Sequence, residues 1–459
     1  MRLSDLFKPL DQRGFDVWQA KALFATGMGS FTFGYDMPAI GLVLLPVLTT
    51  FGITKKSPDF ATWASLITSS SLIGIIIGAV IFGYLANKGR KKFYGVDVTL
   101  MTIGAILEAF VTSPLQLVIV RGLLGIGLGA ESVLTPIIMA EHSNIKDRGK
   151  LLSLTGLFFI GGFISAPLIY LALQGLGVSI NVLWRIVLSM GAIPAASVIY
   201  LRRKIPETPR YILRIQGSIS NYESVVKTLT NKDIVVSGNF RDSVPFTEYF
   251  KKFYKVYISL ILMLYFFNMI PAASTLYGPS LIAPAVGIKN GAVFNLLIAF
   301  IFTIPGSILA VLLIDRLGRK TLMISGLIGM ATFLLLFSLT RSILPAISSF
   351  IIFGFSRFSE SVGPDAVTSF IAVELTPTKI RGPMQSITRT AFYAGSITTS
   401  FIFPRLPINT AIEILGIIAV IDAVITYFGI PETKGKALEE SSGEELMWEE
   451  TQTSPGAKT

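Results

Sequence analysis

Gly83–Lys92 reads Gly-Tyr-Leu-Ala-Asn-Lys-Gly-Arg-Lys-Lys, and its setting decides the fold. A long apolar run leads into it and another follows. Two glycines, an amide and four cations are packed into a short loop. A near-copy, LLIDRLGRK at Leu312–Lys320, lies between two further apolar runs in the second half. Gly89 and Gly318 are 229 residues apart in a chain of 459. A repeat of about half the chain predicts a duplicated membrane unit.

Composition agrees with a membrane protein. The chain is 52% hydrophobic and only 15% charged, against about 25% charge in soluble domains. Its mean hydropathy is +0.66. Apolar runs of about 20 residues recur, each long enough to cross about 30 Å of hydrocarbon as a helix. Helices satisfy their own backbone polar groups where no water can, and the alternating strands of a barrel are absent. No cysteine is present, which excludes disulfides and thiolate metal sites. No metal ligand set and no cofactor are read from the chain. The net charge of +11 is assigned to loops on one side of a membrane and not to nucleic acid. Met1–Lys21 is polar and the run after it is too long for a cleavable signal.

Twelve runs follow, near Ala22–Leu48, Trp63–Ala86, Phe93–Val111, Leu115–Ala140, Leu151–Leu173, Val182–Leu201, Val256–Val286, Gly291–Ile314, Thr321–Thr340, Leu344–Val373, Met384–Pro404 and Thr410–Ile430. They predict an N-terminal segment (1–21), a six-helix bundle (22–201), a central loop (202–255), a second six-helix bundle (256–430) and a tail (431–459). The tail after Lys436 is rich in Glu, Ser and Thr and is expected to be disordered. The loop cations fall on one side with both termini and the central loop; the opposite loops hold few, chiefly Lys55, Lys56, Lys289 and Arg341. Both termini are therefore expected in the cytoplasm, with the protein multi-pass in the cell membrane.

Three motifs occur twice. The first is the loop pair, Asn87-Lys88…Arg90 and Asp315-Arg316…Arg319. The second is a glutamate seven residues before Arg-Gly: Glu141…Arg148 and Glu374…Arg381. The third is Ile-Pro-Glu-Thr after the sixth and twelfth runs, with Glu207, Arg210 and Glu432. Carboxylates and arginines at helix ends can pair in one closed state and part in the other, so these residues form a candidate cytoplasmic gate. A single such pair in a loop is worth little; duplication at matching places makes the set a gate candidate.

With these motifs the chain resembles the major facilitator superfamily over nearly its full length. Arg121…Gly125-Ile126-Gly127, Trp184-Arg185…Gly191-Ala192-Ile193-Pro194-Ala195, Pro206–Tyr211 and Pro431–Glu440 resemble the sugar porters and, equally, the phosphate:proton symporters. Gly27–Ile40 and Trp184–Tyr211 lean toward the phosphate group, and Tyr277-Gly278-Pro279-Ser280 toward the sugar group. The resemblance implies an all-α fold of two pseudo-symmetric six-helix bundles around a cavity, working by alternating access. Neither group's specificity set is intact. Gly156 stands where sugar porters carry a Gln, their Gln-Gln pair is missing around Asn268–Ser274, and Ser369 matches their Trp. Asn268 stands at the phosphate group's Asp and Tyr393 at its Lys. The first loop has Asn87 where the family has Asp, and is one residue shorter.

Ionisable residues inside a membrane cost roughly 2.5–3.5 kcal/mol each and mark function by default. Asp36 lies near mid-depth of the first run. Tyr35 before it and Pro38 after it predict a local break in the helix. Desolvation favours its protonated form, which makes it a candidate proton carrier. Glu131 sits midway along the fourth run, at a position the phosphate symporters use, or else pairs structurally with an arginine. Arg121 lies in the cavity or pairs near a helix end. Arg357 and Glu360, three apart on one helix face, are expected to pair, and Asp365 follows a break at Gly363-Pro364. Arg389 is read as snorkelling to the surface. Tyr277 and Tyr393 are aromatic candidates for the cavity wall. His142 is read as a solvated loop residue.

The leading function is proton-coupled symport of a small hydrophilic solute, a sugar or a small anion such as phosphate or an organic acid. The expected partners are that solute, a proton and the lipid bilayer, with the chain a monomer. A uniporter, or a proton antiporter exporting the same solute class, is the alternative. A non-transporting solute sensor is the alternative of a different class. It predicts a large ordered cytoplasmic domain, and the central loop and tail are short for that. No enzyme motif is present.

Overall fold

The computed structural model describes residues 2–54 and 56–453. Lys55 and tail residues 454–459 lie outside the described residues. The N-terminal half holds α1 (Val17–Thr50), α2 (Phe60–Leu85), α3 (Val96–Glu108), α4 (Pro114–His142), α5 (Arg148–Gly175) and α6 (Ile180–Lys204). The C-terminal half holds α7 (Phe246–Tyr277), α8 (Gly291–Leu317), α9 (Arg319–Thr340), α10 (Ala346–Val362 and Pro364–Glu374), α11 (Arg381–Ile402) and α12 (Ile408–Gly429). No strand occurs among the described residues.

The starts of several spans follow from local chemistry. Asp16 accepts from the Gln19 backbone N–H at 2.8 Å, and the Gln19 side chain accepts from the Asp16 N–H, closing a capping box. Ser113 caps α4 ahead of Pro114, whose missing N–H is no loss at that position. Asn290 caps α8 through the Ala292 N–H at 2.9 Å. Inside the N-terminal half, α2 and α4 cross backbone to backbone: a Cβ on Gly74 would lie 2.3 Å from the Gly122 carbonyl oxygen. Small residues permit this approach, which is how helices gain contact in lipid. Large apolar side chains such as Phe110, Ile193 and Phe428 point outward from the bundle, as a surface solvated by hydrocarbon requires.

Four expectations need correction. α1 runs unbroken through Tyr35–Pro38. Neighbouring helices hold it: the Tyr35 hydroxyl donates to the Val187 carbonyl at 2.7 Å, and Gly34 lies against the backbone of Phe159. α6 continues to Lys204, so Arg202 belongs to the membrane unit and is fully buried. His142 is buried at the end of α4, its Nδ1 2.9 Å from the Ile138 carbonyl. The tail also folds. Leu438–Ser441 and Glu444–Thr453 are helical, with Leu438, Glu439 and Glu444 wholly buried. Ion pairing supplies there what the apolar content does not: Glu439 meets Arg210 at 2.7 Å and Glu444 meets Arg214 at 2.5 Å. A short helix, Leu3–Asp11, and part of the central loop, Ile219–Thr230, pack into the same plate, where Tyr222 donates to the Leu6 carbonyl.

Candidate functional site

The face carrying both termini and the central loop is where the two halves meet. α2 and α11 approach closely there, at Gly83 and Gly382, with the small Ser386 side chain between them. A Cβ on Gly83 would fall 1.7 Å from Ser386 Oγ, and that hydroxyl donates to the Ala79 carbonyl at 2.7 Å. Around this crossing the duplicated motifs build two matching clusters. In the first, Glu141 is buried between Arg90 of its own half and Arg381 of the other. In the second, Glu374 is held by Arg319 of its own half at 3.1 Å and approached by Arg148 of the other at 3.9 Å. The cross-half contact is therefore tight in one cluster and loose in the other. Burial pushes Arg90 down to about 9, and the Arg381 guanidinium pushes it the same way.

The third motif caps helices. Glu207 accepts from the Lys91 N–H at 3.0 Å. Glu432 accepts from the Arg319 and Lys320 N–H groups at 3.0 and 3.1 Å, at the start of α9. A carboxylate there meets orphan donors and the positive end of the helix. Arg210 ties the N-terminal helix to the tail, donating to Asp11 at 2.8 Å and to Glu439 at 2.7 Å. Asp315 receives Arg319 at 2.8 Å and the Lys150 N–H at 2.7 Å. Its counterpart Asn87 works in reverse: Nδ2 donates to the Lys379 carbonyl at 2.7 Å. Lys88 and Arg316 are exposed, with neither side chain in an ion pair among the described residues; the structure does not bring them into the clusters.

Between the halves lies a cavity of about 310 Å³. Of the candidates, Glu131, Asn268, Arg357, Glu360, Asp365 and Tyr393 line it; Asp36, Arg121, Tyr35 and Tyr277 do not. α10 breaks at Gly363 (φ −144°, ψ −59°) beside Asp365. α8 carries a π-helical turn, Ala299–Thr303, on the cavity wall, a distortion frequent at functional sites. Asn268 is already engaged, donating to the Phe392 carbonyl and to Ser396 Oγ at 2.7 and 2.6 Å. Tyr277 stacks on Phe403 with ring centroids 5.4 Å apart.

Nine of the membrane charges gather into three groups. Arg121 donates to both oxygens of Asp36 at 3.3 and 3.1 Å and to Glu108 at 3.1 Å. Arg202 donates to both oxygens of Glu131 at 2.7 and 3.0 Å and to Asp97 at 2.6 Å. Arg357 pairs with Glu360, and Asp365 lies within range of the same guanidinium. Each group has two carboxylates to one arginine. One oxygen of Glu108 and one of Glu360 have no hydrogen-bond donor.

Comparison with known families follows from this architecture. Residues 22–444 match the family model described as sugar (and other) transporter. The chain belongs to that family. Its fold is the major facilitator fold of a multi-pass membrane transporter. Among its relatives, inorganic phosphate transporter 1-11 of Oryza sativa subsp. japonica is 26% identical over 95% of this chain and 89% of the relative. Inorganic phosphate transporter 1-1 of Arabidopsis thaliana is 27% identical over 96% and 97%. Among solved structures, the proton:xylose symporter XylE bound to 6-bromo-6-deoxy-D-glucose gives a TM-score of 0.80 at 21% identity, over 93% of this chain and 99% of that one. The inward-open conformation of XylE from E. coli gives 0.67 at 24% identity, over 93% and 99%. The fold match is thus poorer to the inward-open form.

Several residues of this transporter escaped the sequence reading. Glu108 closes α3 only in the folded helix, because the apolar run around it extends past it to Val111. Asp97 and Arg202 sit near run ends, where composition cannot separate a buried pair from a solvated one. Asp422 is fully buried in α12, with no hydrogen-bond partner for either oxygen. It lay in plain view inside an apolar run and was the clearest signal passed over. Arg389 does not snorkel: it lines the cavity, because α11 turns that face toward α10, and it donates to the Ser369 carbonyl.

Proposed function

We propose that this protein is a proton-coupled symporter of a small hydrophilic solute, of the sugar or phosphate kind, working by alternating access. It acts as a monomer in the cell membrane with both termini in the cytoplasm. The charged face is then the cytoplasmic gate, and the described state is closed on that side. The observation that carries the reading is the ratio of two carboxylates to one arginine in each buried group. Fully ionised, each would hold one net negative charge away from water, at a cost of several kcal/mol. A proton removes that cost, so the group loads and releases one as its access to water alternates. Asp36 and Glu108, both held by Arg121, form the first such group, and Glu131 brings the second to the cavity wall. Solute and proton together permit the closed crossing at α2 and α11 to part. The relatives' printed names, phosphate transporters and a proton:xylose symporter, support the same class.

The test is solute accumulation against solute exchange in Asp36→Asn and Glu131→Gln. Loss of proton-driven accumulation with exchange retained is expected for at least one of them. Wild-type accumulation in both refutes the assignment.

A further inference from the structure

Nine arginines are buried among the described residues, and eight of them lie within ion-pair distance of a carboxylate. Arg389 is the ninth. It is 6% exposed and lines the central cavity. Its one hydrogen bond runs from Nη2 to the Ser369 carbonyl, a neutral acceptor. Nε has no partner. The Phe392 ring lies 5.5 Å from the guanidinium carbon, a cation–π contact that brings no counter-anion. The cavity's three carboxylates are committed elsewhere: Glu131 to Arg202, Glu360 to Arg357, and Asp365 within range of the same Arg357 guanidinium. A buried guanidinium has five donors in a planar fork that matches an oxyanion, and leaving it unpaired in a low dielectric is costly.

Tyr393 follows Arg389 by four residues on α11. It shares the same helix face and also lines the cavity. Its ring packs against Phe33 of the other half, with centroids 6.1 Å apart. A ligand on this face of α11 therefore touches a contact between the two bundles. The position that family resemblance marks for a cation is Tyr393 itself; in this chain the charge stands one turn nearer the gate.

We infer that Arg389, with the Tyr393 hydroxyl beside it, is an oxyanion subsite, and that the solute carries a phosphate, sulfate or carboxylate group. A neutral sugar would leave the guanidinium unpaired. This deepens the symport reading and rests on the same cavity, but the binding test is independent of proton coupling. Equilibrium binding of inorganic phosphate, sulfate, succinate and glucose to the purified full-length protein is measured in detergent without a gradient. At least one of the three oxyanions is expected to bind saturably, with glucose silent. Arg389→Gln is expected to weaken that binding about 30-fold, a loss of about 2 kcal/mol at 1.4 kcal/mol per decade. Arg389→Lys, which keeps the charge and loses the fork, is expected to fall between. Thermal unfolding of each variant verifies the fold, and Arg389→Lys serves as the folded comparison if Arg389→Gln unfolds. Glucose binding unchanged in Arg389→Gln overturns the inference, as does wild-type protein that binds none of the oxyanions. An oxyanion that binds through Arg389 and moves no proton leaves the subsite standing and refutes the symport reading instead.

Discussion

Arg381→Gln should open the charged face. The Arg381 Nε bonds to the Val373 and Thr376 carbonyls, at 3.2 and 3.0 Å, stay within its own half and are the same whether that face is open or closed. Its bond to Glu141 is the one that crosses between the halves. A hydrogen bond to a charged group contributes about 1.5–3 kcal/mol. Glu141 keeps Arg90 in the variant, so the larger penalty for a stranded buried charge does not apply. The closed-to-open ratio should then fall about 10- to 150-fold. The chain has no cysteine, so spin labels at Lys88→Cys and Arg316→Cys report one distance and nothing else. Both side chains are exposed, one in each half. The wild type should give mainly the short distance and Arg381→Gln a substantial long component. Arg148→Gln, which removes the 3.9 Å contact to Glu374, should shift the distribution less. An unchanged distribution in Arg381→Gln would refute the gate reasoning.

Other perturbations follow from the same geometry. Asn87→Asp, which restores the residue the resemblance implies, should weaken closure by about 1–3 kcal/mol. It sets a carboxylate against the Lys379 carbonyl that Asn87 now donates to, and the same label pair measures the loss. Gly83→Ala would drive a methyl into Ser386, so transport should drop at least tenfold while binding in the cavity persists; full activity would exclude the close crossing. The tail clamp has a definite pH sense. Burial raises Glu444, but Arg214 and then Arg381 outweigh it and hold the carboxyl below its ordinary value. Such a group stabilises above its unfolded pKa and loses that contribution as pH falls through the lowered folded value. Hydrogen exchange over residues 444–453 should stay slow at pH 5 and rise only below about pH 4.3. Arg214→Gln should bring that rise to higher pH, and no difference between the two proteins would detach the clamp from Arg214.

Periodicity and length carried most of the architecture, since twelve apolar runs and a half-chain repeat leave few other folds. Pairing within each half was partly legible, because Arg357 and Glu360 are neighbours on one helix face. Partnerships that cross the chain were hidden: Glu141 with Arg381 and Arg210 with Glu439 join residues 240 and 229 positions apart. The tail was misread for a related reason. Its glutamates look solvated until Arg210 and Arg214 are brought against them. Helix rotation decided the rest, placing Asp36 behind the cavity wall and Arg389 on it, and no apolar run records which way a face turns.

The most direct measurement of the central claim follows internal pH and labelled solute together in proteoliposomes as phosphate, carboxylates and sugars are added in turn. Acidification that rises with uptake of one solute class, and is lost in at least one of Asp36→Asn and Glu131→Gln, is the predicted result. Saturable uptake of any of them without a pH change would contradict proton-coupled symport.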